Sequence, residues 1–202
     1  MSKKPLLLSI VQEHVGEVFE KSTQQLLYHN INHTKDVVNS ALELGDRHHL
    51  SGANLEILLI AAWFHDIGYL ENIKNHEQHS ANTAALFLKK NNFPTKSINK
   101  VEQCILATKL DAKPTTILEK ILVDADLYGL STENHFKNAA LLRQEFSLLN
   151  NKVIDDVEWL KTEITFLSNH HYHTNYAIEH LEPIKQQHLK QRIAELETLM
   201  KL

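Results

Sequence analysis

Three short stretches of this chain put histidines and aspartates where a buried apolar stripe should continue. They are Tyr28-His29-Asn30-Ile31-Asn32-His33-Thr34, the dipeptide His65-Asp66, and Val123-Asp124-Ala125-Asp126-Leu127-Tyr128-Gly129. Imidazole nitrogens and carboxylate oxygens together suit a transition metal or a hard divalent cation. A buried carboxylate must be paired, protonated or bound to a cation, because burying it alone is too costly.

Leu55, Leu58, Leu59, Ala62 and Trp63 share one helix face, and the next turn of that face reaches His65, Asp66 and Tyr69. On a helix the adjacent side chains of His65 and Asp66 diverge by about 100°, yet both reach an ion seated at the helix end. His29 and His33 are four residues apart and share a face if both are helical. His33 leads into the stripe Val37, Ala41 and Leu44, so it too sits on an apolar face. Asp124 and Asp126 flank the stripe Leu118, Ile121, Leu122 and Ala125, and periodicity does not decide which of the two points inward.

His33, then His65-Asp66, then a late aspartate resembles the H…HD…D signature of the HD superfamily of metal-dependent phosphohydrolases. The resemblance covers about Tyr28 to Leu130, half of the chain. It implies an all-α helical bundle with a central metal site and hydrolysis of phosphate mono- or diesters, often of nucleotides. Tyr28-His29-Asn30-x-x-His33 is also similar to the opening motif of cyclic-nucleotide phosphodiesterases. That similarity implies His29 as general acid and His33 as a ligand. Ala125-Asp126-Leu127 fits the family's frame for the last ligand better than Val123-Asp124-Ala125. The implied metal set is therefore His33, His65, Asp66 and Asp126, with Asp124 as a supporting or alternate ligand. The metal would be a Lewis acid and a source of hydroxide, with Asp66 or Glu77 orienting the attacking water. Its identity stays open among Mn, Mg, Co, Ni, Zn and Fe.

The sequence departs from those relatives after the dyad, where Ile67-Gly68-Tyr69 replaces an Asp-His run, and it lacks the paired His-His of the two-metal class. Downstream, His76, Glu77 and His79 in Asn75-His76-Glu77-Gln78-His79-Ser80 are candidates for a second ion or a phosphate. Lys109 and Lys113 are candidate phosphate contacts, against the plainer reading of solvated surface charges. Tyr69, His171 and His173 are candidate pocket residues; the run Phe166 to Tyr176 could equally be a polar helix end packed by its tyrosines. Two competing readings are a regulatory module that keeps the metal fold, and a two-iron oxygenase on the same scaffold. Complete ligands favour the enzyme over the first, and metal analysis separates the second.

These groups need a scaffold. The chain has 202 residues, 43% hydrophobic and 23% charged, as expected of one globular domain with a substantial core. Apolar residues recur at three- and four-residue steps, and strand-like alternation is scarce. The pattern predicts eight or nine helices: about 6–27, 32–47, 51–68 with Ser51 and Gly68 as caps, 77–90, 95–109, 114–129 with Pro114 opening it, 133–149 capped by Ser131 or Thr132, 155–170, and Pro183 to the end. Absence of repeats or Pro/Gly/Ser-rich linkers suggests one HD-type domain over 1–202, with the helices of 131–202 completing it. The final helix carries a narrow stripe (Ile184, Leu189, Ile193, Leu196, Leu199) expected to pack on its own domain. A net charge of −4 gives no strong nucleic-acid or anionic-membrane signal. The lone Cys104 excludes an internal disulfide and reads as a small core residue. The apolar run of MSKKPLLLSIV ends at Gln12-Glu13-His14 without a cleavage site, so a cytoplasmic location is expected. The expected partner is a small phosphorylated substrate, a nucleotide being one candidate, with self-association left open.

Overall fold

A computed structural model describes residues 7–201, and the described residues hold ten α-helices and no strand. They fall into two compact units. The first contains the described residues through Gln25 and His29–Asp126; the second contains Leu26–Tyr28 and the described residues from Leu127 onward.

In the first unit, α1 (Leu7–Lys21), α2 (Ile31–Arg47), α3 (Gly52–Phe64), α4 (His76–Lys90), α5 (Thr95–Leu106) and α6 (Ile117–Asp126) pack around α3. The sequence shows a stripe on α3, but every residue from Ile57 to Phe64 is buried. A helix that is apolar all round belongs at the centre of a core. α1, α2 and α5 all pack on it; α1 buries Val11 and Val15, α2 buries Val37, Ala41 and Leu44, and α5 buries Val101 and Ile105. Cys104 is buried there too, and burial pushes its thiol up to about 12, so it is an inert core residue.

Several expected boundaries move for identifiable reasons. The predicted first helix begins at Leu6, outside the described residues, and the observed one ends at Lys21 rather than Leu27. α2 starts at Ile31 because Asn30, with extended backbone, accepts the Asn32 amide on its side chain at 2.8 Å. His29 therefore lies before the helix, not on a shared helical face with His33. Ser51 stands at the N-cap of α3 without a side-chain cap bond. α3 stops at Phe64, and a 3₁₀ turn covers Ile67–Leu70, so Gly68 is not a helix C-cap. A Cβ on Gly68 would lie 2.1 Å from the His76 carbonyl oxygen and 2.8 Å from the Ser80 nitrogen. This glycine lets the turn lie directly on the first turn of α4, where its amide donates to Ser80 Oγ at 2.8 Å. α6 opens with a capping box rather than Pro114: Thr116 Oγ1 accepts the Glu119 amide, and the Glu119 carboxylate accepts from Thr115 and Thr116.

The second unit holds a 3₁₀ turn (Tyr128–Ser131), α7 (His135–Leu149), α8 (Asp156–Asn169), α9 (Asn175–His180) and α10 (Glu182–Leu199). α10 packs on α8 and α9. Its inward face is Lys185 and Leu189, whereas Ile184 and Ile193 stay exposed, so the predicted stripe is only partly used. Lys185 is fully buried and held by Glu182 at 2.9 Å and by the His170 carbonyl. Ser131 and Thr132 do not cap α7; Ser131 instead bonds Tyr172 at 2.7 Å and the Leu181 carbonyl at 2.8 Å. No helix among the described residues is long and apolar enough to cross a membrane.

Candidate metal centre

Three helices of the first unit each deliver part of one cluster. α2 supplies His33 from its first turn, the end of α3 supplies His65 and Asp66, and the last residue of α6 is Asp126. One ligand atom from each of the four lies within 4.8 Å of every other. His33 Nε2 is 3.1 Å from Asp126 and 3.4 Å from Asp66; His65 Nε2 is 3.2 Å from Asp66 and 3.3 Å from Asp126. Four N and O ligands at about 2.0–2.2 Å from one ion lie roughly 3–4.5 Å apart, and this donor set matches.

The backbone explains how neighbours converge. His65 keeps helical dihedrals as the C-cap of α3, but Asp66 leaves the helix at φ −110° and ψ 3°. That bridge conformation turns the carboxylate back beside the imidazole instead of 100° around a helix. His65 Nδ1 donates to the Ala62 carbonyl at 2.8 Å, since a carbonyl can only accept. The bond fixes the ring and presents Nε2 to the cluster. His65 Nε2 is fully buried and has no hydrogen-bond partner: the carboxylate oxygens are close but off the hydrogen-bond line. An orphaned buried nitrogen facing two carboxylates is what a cation site leaves behind when only protein is considered.

Electrostatics agree. Burial alone would lower the His33 and His65 pKa values, but Asp66 and Asp126 outweigh it, raising His33 to about 9 and His65 well above its ordinary value. Burial would raise Asp66 and Asp126, but the imidazoles hold both below the usual carboxylate range. Without an ion, two carboxylates thus hold two protons on two rings; a divalent cation carries the same charge.

The other candidates are distributed unevenly. Asp126 joins the cluster; Asp124 is fully buried outside it. His76 borders it, with Nε2 3.8 Å from Asp66 Oδ1 and 3.4 Å from Glu77, while its Nδ1 donates to the Ile73 carbonyl at 3.0 Å. His29 meets His33 edge to face at 5.9 Å. His79 is not brought in; its ring faces the exposed Glu71 at 3.5 Å. Lys109 is half-buried in the turn after α5, and Lys113 is exposed. Tyr69 stacks on His29 and His76, at 3.9 Å each, so both of its faces are taken. His171 is exposed and His173 half-buried in the second unit, where Tyr172 turns inward. The sequence reading missed the Ala62 carbonyl and the stacking of Tyr69, which involve contacts that no periodicity encodes.

The family described as HD domain matches residues 30–129, a span that includes all four cluster residues. A solved structure described as a predicted HD superfamily hydrolase from an uncultured Thermotogales bacterium is similar in fold, with a TM-score of 0.62. It is 18% identical, and the match covers 96% of this chain and 91% of that one. No curated protein matches in sequence.

Proposed function

The chain belongs to the HD domain family through residues 30–129, and from that premise we propose that it is a metal-dependent phosphohydrolase. Its substrate would be a phosphate mono- or diester of a nucleotide or small phosphorylated metabolite. The observation that carries this reading is the convergence of His33, His65, Asp66 and Asp126, with His65 Nε2 buried against two carboxylates and without a hydrogen bond. These four side chains would hold one divalent ion. Such an ion supplies Lewis acidity toward a phosphoryl oxygen and brings the pKa of water toward neutrality.

The chain's own residues divide the remaining work. His29, stacked at the edge of the cluster, protonates the leaving oxygen. Glu77 lies beside His76 and orients water or takes its proton. His76 turns Nε2 toward Asp66 and contacts a phosphate oxygen. His33 and His65 stay fixed by their carboxylate and carbonyl neighbours, so the site is set before substrate arrives.

The test is a screen of an aryl phosphate, nucleotides and sugar phosphates against Mn²⁺, Mg²⁺, Co²⁺, Ni²⁺, Zn²⁺ and Fe²⁺. Hydrolysis should appear with at least one ion and vanish with EDTA. Asp66→Ala should lose metal and rate together. Full metal content and full rate in that variant would reject the assignment.

A further inference from the structure

Tyr69 is 8% exposed and is not one of the four cluster residues, yet two rings at the border of the cluster lean on it. His29 lies on one face, with centroids 3.9 Å apart and planes 14° from parallel. His76 lies on the other, also at 3.9 Å and 26° from parallel. Aromatic pairs usually sit at about 4.5–7 Å, offset or edge-on, so both contacts are tight and overlapping. The three rings come from separate places: the segment before α2, the 3₁₀ turn after the dyad, and the first residue of α4.

Two of the three leaves also have a hydrogen-bonded anchor. Tyr69 is held by its amide donating to the Asp66 carbonyl at 3.0 Å, inside the 3₁₀ turn that follows the His65-Asp66 dyad. Gly68 lets that turn touch the α4 backbone, where an added Cβ would meet the His76 carbonyl oxygen. His76 is tethered by its Nδ1 donating to the Ile73 carbonyl, leaving Nε2 toward Asp66 and Glu77. The stack therefore keeps both imidazoles within two stacking distances of each other and on the border of the metal cluster.

We infer that Tyr69 is a positioning residue, the middle leaf of a three-ring stack that sets the imidazoles of His29 and His76 at a fixed separation beside the metal cluster. Both its faces are occupied by imidazoles, so it does not stack a substrate base. Through it, the proton donor and the phosphate contact are ordered as one unit. The catalytic consequence rests on the phosphohydrolase reading above; the geometric one does not.

The experiment compares Tyr69→Leu, Tyr69→Met and Tyr69→Phe in the full chain. Leu and Met fill the space without a ring, so one serves if the other fails to fold. Three quantities are read: bound Mn²⁺ per chain, the histidine ring-proton NMR signals of the metal-free protein, and kcat and KM on the best phosphate ester. In the ringless variants Mn²⁺ stoichiometry should hold, the His29 and His76 ring signals should shift as the tyrosine ring current disappears, and kcat should fall about tenfold or more with a smaller change in KM. Tyr69→Phe should restore the ring signals and most of the rate. Unchanged ring signals in a folded ringless variant would overturn the stack. Wild-type kcat in that variant would overturn the positioning role, as would a Phe variant no better than Leu. If wild-type protein hydrolyses no phosphate ester, the phosphohydrolase reading fails alone, and the ring signals still decide the inference.

Discussion

Gly68→Ala should destabilise the protein, although alanine is ordinarily the better residue in a turn or helix. At a position open to it, replacing glycine by alanine gains about 0.4–1 kcal/mol by restricting the unfolded chain. Gly68 is not such a position. The new methyl would sit 2.1 Å from the His76 carbonyl oxygen, 2.9 Å from its carbon and 2.8 Å from the Ser80 nitrogen. All three are backbone atoms that cannot swing aside, so the 3₁₀ turn and α4 must separate by roughly 1 Å, an overpacking cost of about 1–3 kcal/mol. Separation also strains the 2.8 Å bond from the Gly68 amide to Ser80 Oγ, about another 1 kcal/mol. Set against the gain from restricting the unfolded chain, the net loss is about 1–3 kcal/mol, or a melting temperature lower by about 3–12 °C for a chain of this size. Gly16→Ala is the control: Gly16 lies in α1 with nothing within 4 Å of a built Cβ, so it should gain about 1 kcal/mol. Thermal melts of both variants read the result. Gly68→Ala melting at or above wild type would refute the close approach and, with it, the route by which Tyr69 reaches His76.

Three further outcomes follow from the same geometry. Thr116→Ala removes the acceptor for the Glu119 amide and the hydroxyl that donates to Glu119 Oε1, so urea unfolding should show a loss of about 1–2 kcal/mol; no loss would mean the capping box is idle. Metal uptake at pH 7.5 should release about two protons per ion, because His33, raised to about 9, and His65, raised well above 6.5, both hold protons in the metal-free chain. Affinity should therefore climb with pH up to about 9, and calorimetry in buffers of different ionisation heat that finds no proton release would contradict the electrostatics. Glu163 is buried, and burial would raise its pKa, but His135 and Arg192, both at 2.9 Å, pull it below 4.5. Its contribution is complete above pH 4.5 and is lost as pH falls through the lower folded value. Glu163→Gln should flatten the acid side of the stability profile, and an unchanged acid slope would reject the linkage.

The helical character of the chain was legible because apolar spacing repeats over long segments, and α5 through Thr95 or α7 through Leu149 meet their predicted ends closely. The dyad His65-Asp66 stood out because an apolar face ran into it. What remained hidden is non-periodic. The 3₁₀ turn at Ile67–Leu70 breaks the predicted long third helix, and that break is what aims Asp66 beside His65. Periodicity leaves Asp124 and Asp126 alike and only the family resemblance favours Asp126; in the fold α6 ends at Asp126, which joins the cluster, while Asp124 is buried outside it. Gly68 reads as a helix stop, yet its importance is a contact with α4, eight residues away in sequence at His76. The short α9 escaped notice because six residues are too few for a periodic signal.

Four side chains of the first unit are proposed to hold one divalent cation. Crystals grown with Mn²⁺ and measured at the manganese absorption edge test it directly. One strong anomalous peak is expected about 2.0–2.3 Å from His33 Nε2, His65 Nε2 and an oxygen of each of Asp66 and Asp126, absent in Asp66→Ala crystals grown alike. A Mn²⁺ peak bound elsewhere with this cluster vacant, or one that persists at the cluster in Asp66→Ala, would contradict it.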